Sequence, residues 1–180
     1  RLHRQLLEKH AAEIADMFHT IAETVGAKEA IIGIKKAYKK TIEAVNAVID
    51  KYPEMRLGLL DEVYPAGDEV VLIYEVTGKV VRPGGLPIES GVAVFNVETV
   101  YNAYRALHEN TPVEDKLVSV VAEVEKPITV RVPIGTPLDE VVALAGHVTT
   151  PNPVYFVGGP MMGNIGTGAQ PVTKTTNAIL

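Results

Sequence analysis

Two short segments carry the side chains best suited to hold a flat, polar ligand. The first is Tyr64-Pro65-Ala66-Gly67-Asp68-Glu69. Its aromatic ring offers a stacking face, its Gly lets backbone approach a ligand closely, and its adjacent carboxylates accept hydrogen bonds. The second is Phe95-Asn96-Val97-Glu98-Thr99, in which Asn96 and Thr99 supply an amide and a hydroxyl. Both precede helical periodicity, so free N–H groups of a helix start add further donors. Helix capping explains part of each segment equally well: Asp68 and Asn96 are good N-cap residues, and Glu98 suits an orienting or capping role.

The remaining chemistry-bearing residues are less organised. Gly84-Gly85 and Gly158-Gly159-Pro160 supply turns, but neither has the spacing of a dinucleotide fingerprint or a P-loop. Met161-Met162 reads as packing. The five histidines, His3, His10, His19, His108 and His147, form no close-spaced metal motif. Lys35, Lys36, Lys39 and Lys40 make a local basic patch without the interleaved aromatics of a nucleic-acid surface. No catalytic nucleophile or metal-ligand set is expected. The chain has no cysteine, which excludes disulfides, thiol catalysis and cysteine-ligated iron–sulfur clusters within these residues.

The elements that must position these groups follow from periodicity. Ile14, Phe18, Ile21 and Val25 predict one helix over 6–25, with Gly26 as its stop. Ala30–Ile34 is a short apolar strand, 38–51 a helix through Ile42, Val45, Val48 and Ile49, and 56–60 a second strand. Asp68 is expected to start a helix that ends at Gly78 and packs through Val70, Ile73, Tyr74 and Thr77. Val92–Phe95 reads as a strand and 98–108 as a helix. This alternation predicts an α/β domain with a mainly parallel sheet. Beyond Asn110-Thr111-Pro112, 117–124 and 127–132 read as paired strands, 138–145 as a helix and 154–157 as a strand. Residues 164–180 carry no clear period.

With 180 residues, 47% hydrophobic and 22% charged, the chain has the composition of an ordinary globular protein of one or two domains. Its 17 basic and 22 acidic residues give a net charge of -5, which argues against a large nucleic-acid or anionic-membrane surface. No apolar run reaches the roughly 18 residues of a membrane span, and the opening Arg1-Leu2-His3-Arg4 is unlike a signal peptide. A soluble cytoplasmic protein is expected. The chain lacks an initiator Met and opens without a cap, which suggests a segment of a longer protein.

In order and spacing, Tyr64–Glu69, Gly85-Leu86-Pro87, Phe95–Thr99, Gly158–Gly163 and Pro171-Val172-Thr173-Lys174-Thr175-Thr176 resemble the RnfC/PduS family. More distantly they resemble the flavin-carrying, NADH-oxidising subunit of respiratory complex I. The resemblance implies a Rossmann-like FMN domain fragment over 1–110, a linker at 111–115, a small SLBB β-grasp domain over 116–160 and a return or interdomain segment at 161–180. It implies that Tyr64, Asp68 and Glu69 border the flavin and nicotinamide pocket, and that Asn96 and Thr99 contact the flavin. FMN and NADH would be cofactors of the complete protein, with iron–sulfur clusters on flanking sequence. The isolated fragment is expected to be inactive. Partners would be redox-complex subunits or a corrinoid-enzyme system, with no nucleic acid and with homodimerisation as a further expectation. The periphery of the cytoplasmic membrane and a metabolic microcompartment are the settings the family offers. A docking module without a working flavin pocket is the competing expectation.

Overall fold

The computed structural model describes residues 2–159 and 162–180. The chain divides into two compact units, one over His3–Thr111 and the other over Pro112–Leu180 together with Leu2. The first opens with two helices, α1 (Leu2–Lys9) and α2 (Ala11–Val25), where the sequence predicts one. The apolar period runs through both, but His10 leaves helical geometry at φ -131° and ψ 35°. Leu6, Leu7, Ile14, Ala15, Met17 and Ala22 are buried, while Val25, expected on the packed face, is 63% exposed. Gly26 ends α2 at φ 65°, a left-handed conformation that places its N–H on the carbonyls of Ala22 and Glu23.

Two parallel strands follow, β1 (Ala30–Lys35) and β2 (Met55–Leu60), in register from Ala30 opposite Met55 to Lys35 opposite Leu60. The connecting helix α3 (Lys39–Ile49) buries Thr41, Val45 and Ile49. Of the expected apolar set, Val45 and Ile49 are buried, whereas Ile42 and Val48 are half-buried and Thr41 takes the inner position one turn before Val45. Thr41 is held by its hydroxyl, which donates to Glu8 of α1 at 2.8 Å. On the sheet lies α4 (Glu69–Thr77). The expectation that Val70 and Tyr74 share its packed face is corrected: they are 40% and 58% exposed, and Ile73 is the buried residue. Leu72 and Val76 instead reach the strands at Gly33 and Gly58, where no side chain competes for the space.

Residues 92–95 form no strand. Their β-branched and aromatic types suit an extended backbone, but a strand also needs a ladder partner, and Val94 and Phe95 stand 38% and 40% exposed. The segment leads from a 3-10 turn at Pro87–Ser90 into α5 (Val97–His108), which buries Glu98, Val100 and Tyr101. α5 packs against α2.

The second unit is a five-stranded mixed sheet in the order β4-β3-β7-β5-β6. β3 (Asp115–Val120) and β4 (Ile128–Pro133) pair antiparallel, slightly displaced from the expected spans. After α6 (Leu138–Ala143) come β5 (Tyr155–Val157), β6 (Asn164–Gly166) and β7 (Ala178–Ile179). β7 runs parallel to β3 and antiparallel to β5. The sheet thus takes up residues past 160, including a segment in which the sequence shows no period. Val118, Val120, Val132, Leu138, Val141, Val142, Ala145, Val172 and Ile179 form its core. Burying one such aliphatic side chain stabilises by about 1.5–3 kcal/mol.

Candidate functional site

The first group of candidate residues lies where the chain leaves β2 for α4. Val63 to Ala66 make a tight turn, with the Ala66 N–H on the Val63 carbonyl at 3.1 Å and the Asp68 N–H on the Pro65 carbonyl at 2.7 Å. The Tyr64–Pro65 peptide is cis. Ala66 is buried, which pins the turn, while Tyr64 projects at 77% exposure. Asp68 caps α4: its Oδ1 accepts from the N–H groups of Val70 at 3.0 Å and Val71 at 3.3 Å. Capping therefore occupies one Asp68 oxygen. Glu69 is exposed at the first helical position.

The second group lies at the start of α5. Asn96 is its N-cap, and Asn96 Oδ1 accepts the Glu98 N–H at 2.9 Å. That bond fixes the amide orientation and leaves its NH2 group to donate outward. Thr99 is exposed one residue beyond Glu98, which itself is buried. Both groups thus sit on helix starts, each organised by its own cap, and no hydrogen bond joins them among the described residues. Because 92–95 is irregular, Asn96 stands at a loop-to-helix junction and not at the end of a strand.

The carboxyl edge of the parallel pair adds a feature that the motifs do not reveal. Lys36, just past β1, forms an ion pair with Asp61, just past β2, at 2.5 Å. The register brings these two residues together, and a basic patch read along the sequence gives no sign of the partner. The other expected minor features resolve as follows. His10 bonds Glu13, His19 bonds Glu54, and His147 bonds Glu125. No group of three His, Cys, Asp or Glu residues suited to a metal ion occurs among the described residues. Met162 is 83% exposed, so packing does not explain it. Pro160 and Met161 of the Gly158–Gly163 motif lie outside the described residues.

Chemically, the two helix starts carry hydrogen-bonding and stacking groups and, among the described residues, neither a metal-ligand set nor a nucleophile paired with a base. They offer an outward amide donor at Asn96, a hydroxyl at Thr99, an open aromatic face at Tyr64 and two carboxylates, without an activated nucleophile. Iron–sulfur clusters do not fit, because a chain without cysteine cannot supply their thiolates.

A parallel strand pair covered by helices, followed by a five-stranded mixed sheet with one helix, defines an α/β domain and a smaller mixed α/β domain. Residues 1–105 match the Nuo51 FMN-binding domain, and residues 117–164 match the SLBB domain. The chain belongs to the Nuo51 FMN-binding domain family. It is 41% identical over 182 residues to the cobalamin reductase PduS of Salmonella typhimurium, covering 100% of this chain and 40% of that protein. The PduS of Citrobacter freundii is 40% identical, again over 100% of this chain and 40% of the relative. A component of the ion-translocating oxidoreductase complex of Cronobacter sakazakii is 32% identical, over 98% of this chain and 23% of that protein. The chain therefore spans less than half the length of these relatives. The H2-reduced NAD+-reducing [NiFe]-hydrogenase has the same fold, with a TM-score of 0.73 at 23% identity over 99% of this chain and 37% of the hydrogenase chain. These relationships make the chain a flavin-binding module related to PduS- and RnfC-type oxidoreductases. No helix among the described residues is long and apolar enough to cross a membrane.

Proposed function

We propose that the chain is the flavin and nicotinamide portion of an electron-transfer oxidoreductase of the cobalamin-reductase or ion-translocating-complex kind. The observation that carries this reading is the likeness to PduS along the whole chain, including both capped helix starts. FMN, when bound, supplies the chemistry, taking up a hydride as an electron pair and releasing electrons singly. The chain's own residues align the reactants. Asn96 donates its free amide hydrogens to a flavin acceptor, and the Thr99 hydroxyl gives a second polar contact. Tyr64 stacks against the nicotinamide, while Asp68 and Glu69 accept its hydrogen bonds and set the local negative charge. No side chain here acts as nucleophile or strong general acid; positioning and electrostatics are its contribution.

Iron–sulfur centres in this reading are held by residues outside the 180, and the partner is another redox protein of the same complex or a corrinoid enzyme. The setting that follows is the cytoplasmic membrane face or a metabolic microcompartment. The domain limits that go with it are 1–110 for the flavin portion, 111–115 as linker, 116–160 for the SLBB β-grasp domain and 161–180 as a return segment, which supplies β6 and β7 to the same sheet. An anaerobic absorption spectrum of the full-length protein tests the proposal: flavin bands that bleach on adding NADH are expected. A folded protein that neither holds nor acquires FMN would overturn it.

The second reading is a docking module, favoured by a small apolar hollow of about 80 Å³ in the second unit, lined by Val120, Val142, Val148, Tyr155 and Ile179. The exposed Val154 stands at this hollow. Capture of a redox partner by a chain that does not bind FMN would favour it.

A further inference from the structure

Away from both helix starts, three elements of the first unit converge on His19. α2 contributes His19 itself with Asp16 and Glu23, the turn into β2 contributes Tyr52 and Glu54, and the end of α5 contributes His108. His19 Nδ1 lies 2.5 Å from Glu54 Oε1, and His19 Nε2 lies 3.5 Å from Glu23 Oε2. The His19 ring packs on the Tyr52 ring with centroids 4.8 Å apart. The Tyr52 hydroxyl donates to Asp16 Oδ1 at 3.4 Å, and His108 Nε2 approaches Asp16 Oδ2 at 3.8 Å.

This junction does more than fill a surface. The Glu54 carbonyl accepts the Ala30 N–H at 2.9 Å, so the residue holding His19 also opens the β1–β2 ladder. Both ring nitrogens of His19 face carboxylates. A neutral imidazole has one donor and one acceptor nitrogen, whereas an imidazolium donates from both. The protonated ring donates from Nδ1 to Glu54 and its charge also attracts Glu23, 3.5 Å from Nε2, whereas a neutral ring that donates to Glu54 turns a lone pair toward Glu23.

We propose that His19 is a pH-sensitive latch, closed when protonated, that ties α2 to the turn opening β2. The charges around it agree. Glu54, Glu23 and Asp16 are all acidic, and the other neighbours are Tyr52, a phenol that donates to Asp16, and His108, which lies 3.8 Å from Asp16. The hydrogen bond to Glu54 and the three carboxylates raise the His19 pKa above its ordinary 6.5, against the smaller opposing effect of burial. The same bond lowers the Glu54 pKa below its ordinary 4.5. The signs define a window. The His19 contribution is complete below 6.5 and disappears as pH rises through its higher folded value. The Glu54 contribution is complete above 4.5 and disappears as pH falls through its lower folded value. The latch therefore holds between the ordinary Glu and His values and releases as pH rises through the raised His19 value. This device rests on no ligand and is independent of the flavin assignment.

With only five histidines in the chain, labelling their Cε1 carbons allows each to be titrated by NMR. His19 is expected to titrate above 6.5 and to move back toward that value in Glu54→Gln. The difference in thermal midpoint between the unaltered chain and His19→Gln is expected to be widest below the pH at which His19 titrates and to shrink above it. A His19 titration at or below 6.5, or a stability difference that is constant with pH, overturns the latch. Where His19→Gln fails to fold, the titration of the unaltered chain against Glu54→Gln decides alone.

Discussion

Gly33 and Gly58 stand opposite one another in the β1–β2 register, and α4 lies directly over both. A Cβ at Gly33 would come within 2.6 Å of Leu72 Cδ1, and one at Gly58 within 2.5 Å of Val76 Cγ1. Leu72 and Val76 are four residues apart, so they project from one face of the helix. The two bare positions thus accept two consecutive knobs of α4. The helix that carries Asp68 and Glu69 at its start is thereby held close on the strands.

The two glycines are not equivalent. Leu72 meets a Gly33 Cβ with the far end of a flexible side chain, whereas Val76 is β-branched and its own Cβ stands 3.1 Å from a Gly58 Cβ. Ile31 Cγ2 crowds the same position at 3.1 Å. Gly58→Ala is therefore expected to cost about 1–3 kcal/mol, the range of overpacked cores, and Gly33→Ala less. Val76→Ala combined with Gly58→Ala should recover part of the loss. Urea unfolding of the unaltered chain, the single variants and the double variant checks this; a larger cost at Gly33, or a double variant as unstable as the sum of the singles, would refute the packing argument.

Asn96 separates capping from ligand binding, because its oxygen and its nitrogen have different duties. Asn96→Asp keeps an oxygen for the Glu98 N–H but removes the amide donor. Stability should change little, while FMN affinity of the full-length protein falls about 3–10-fold, the worth of one hydrogen bond. Asn96→Ala removes both and costs about 1 kcal/mol of stability as well. Unchanged FMN affinity in both variants would leave Asn96 as a cap alone.

How far the sequence revealed these features depends on how local they are. Asp68 and Asn96 could be read as caps because capping is decided within three residues, and the structure shows both bonds. The glycine at position 33 is visible as an interruption in an apolar run, but its purpose depends on Leu72, on another element. Residues 92–95 have the composition of a strand, yet pairing is a property of neighbours that composition does not contain. β7 is missed for the opposite reason: two residues are too short to show a period, and the sheet defines them. The Lys36–Asp61 pair likewise exists only through the parallel register.

Tyr64 tests the nicotinamide half of the site. At 77% exposure its ring contributes little to folding, so Tyr64→Ala should alter stability by no more than about 0.5 kcal/mol. If the ring stacks on the nicotinamide, KM for NADH in the full-length protein should rise about 5–10-fold, as expected for losing roughly 1 kcal/mol of stacking. Tyr64→Phe should keep most of it. Steady-state kinetics in which all three proteins share one KM would remove Tyr64 from the pocket.

Tyr155 offers a test in the second unit. Its hydroxyl donates to Asp139 Oδ1 at 2.6 Å, tying β5 to the start of α6. That hydrogen bond, together with burial and the Asp139 charge, raises the phenol above its ordinary pKa of 10. A raised phenol binds its proton more tightly in the folded state, so its contribution is complete below 10 and is lost as pH climbs through the folded value. Tyr155→Phe should lower stability at neutral pH by about 1 kcal/mol, the net worth of one hydrogen bond. As pH climbs from 10 through the raised folded value the two proteins should converge, because the ionised Tyr155 can no longer donate and its charge opposes Asp139. Denaturant midpoints measured between neutral and strongly alkaline pH decide the matter: a gap that stays constant through the titration would show that the hydroxyl contributes by packing and not by its bond to Asp139.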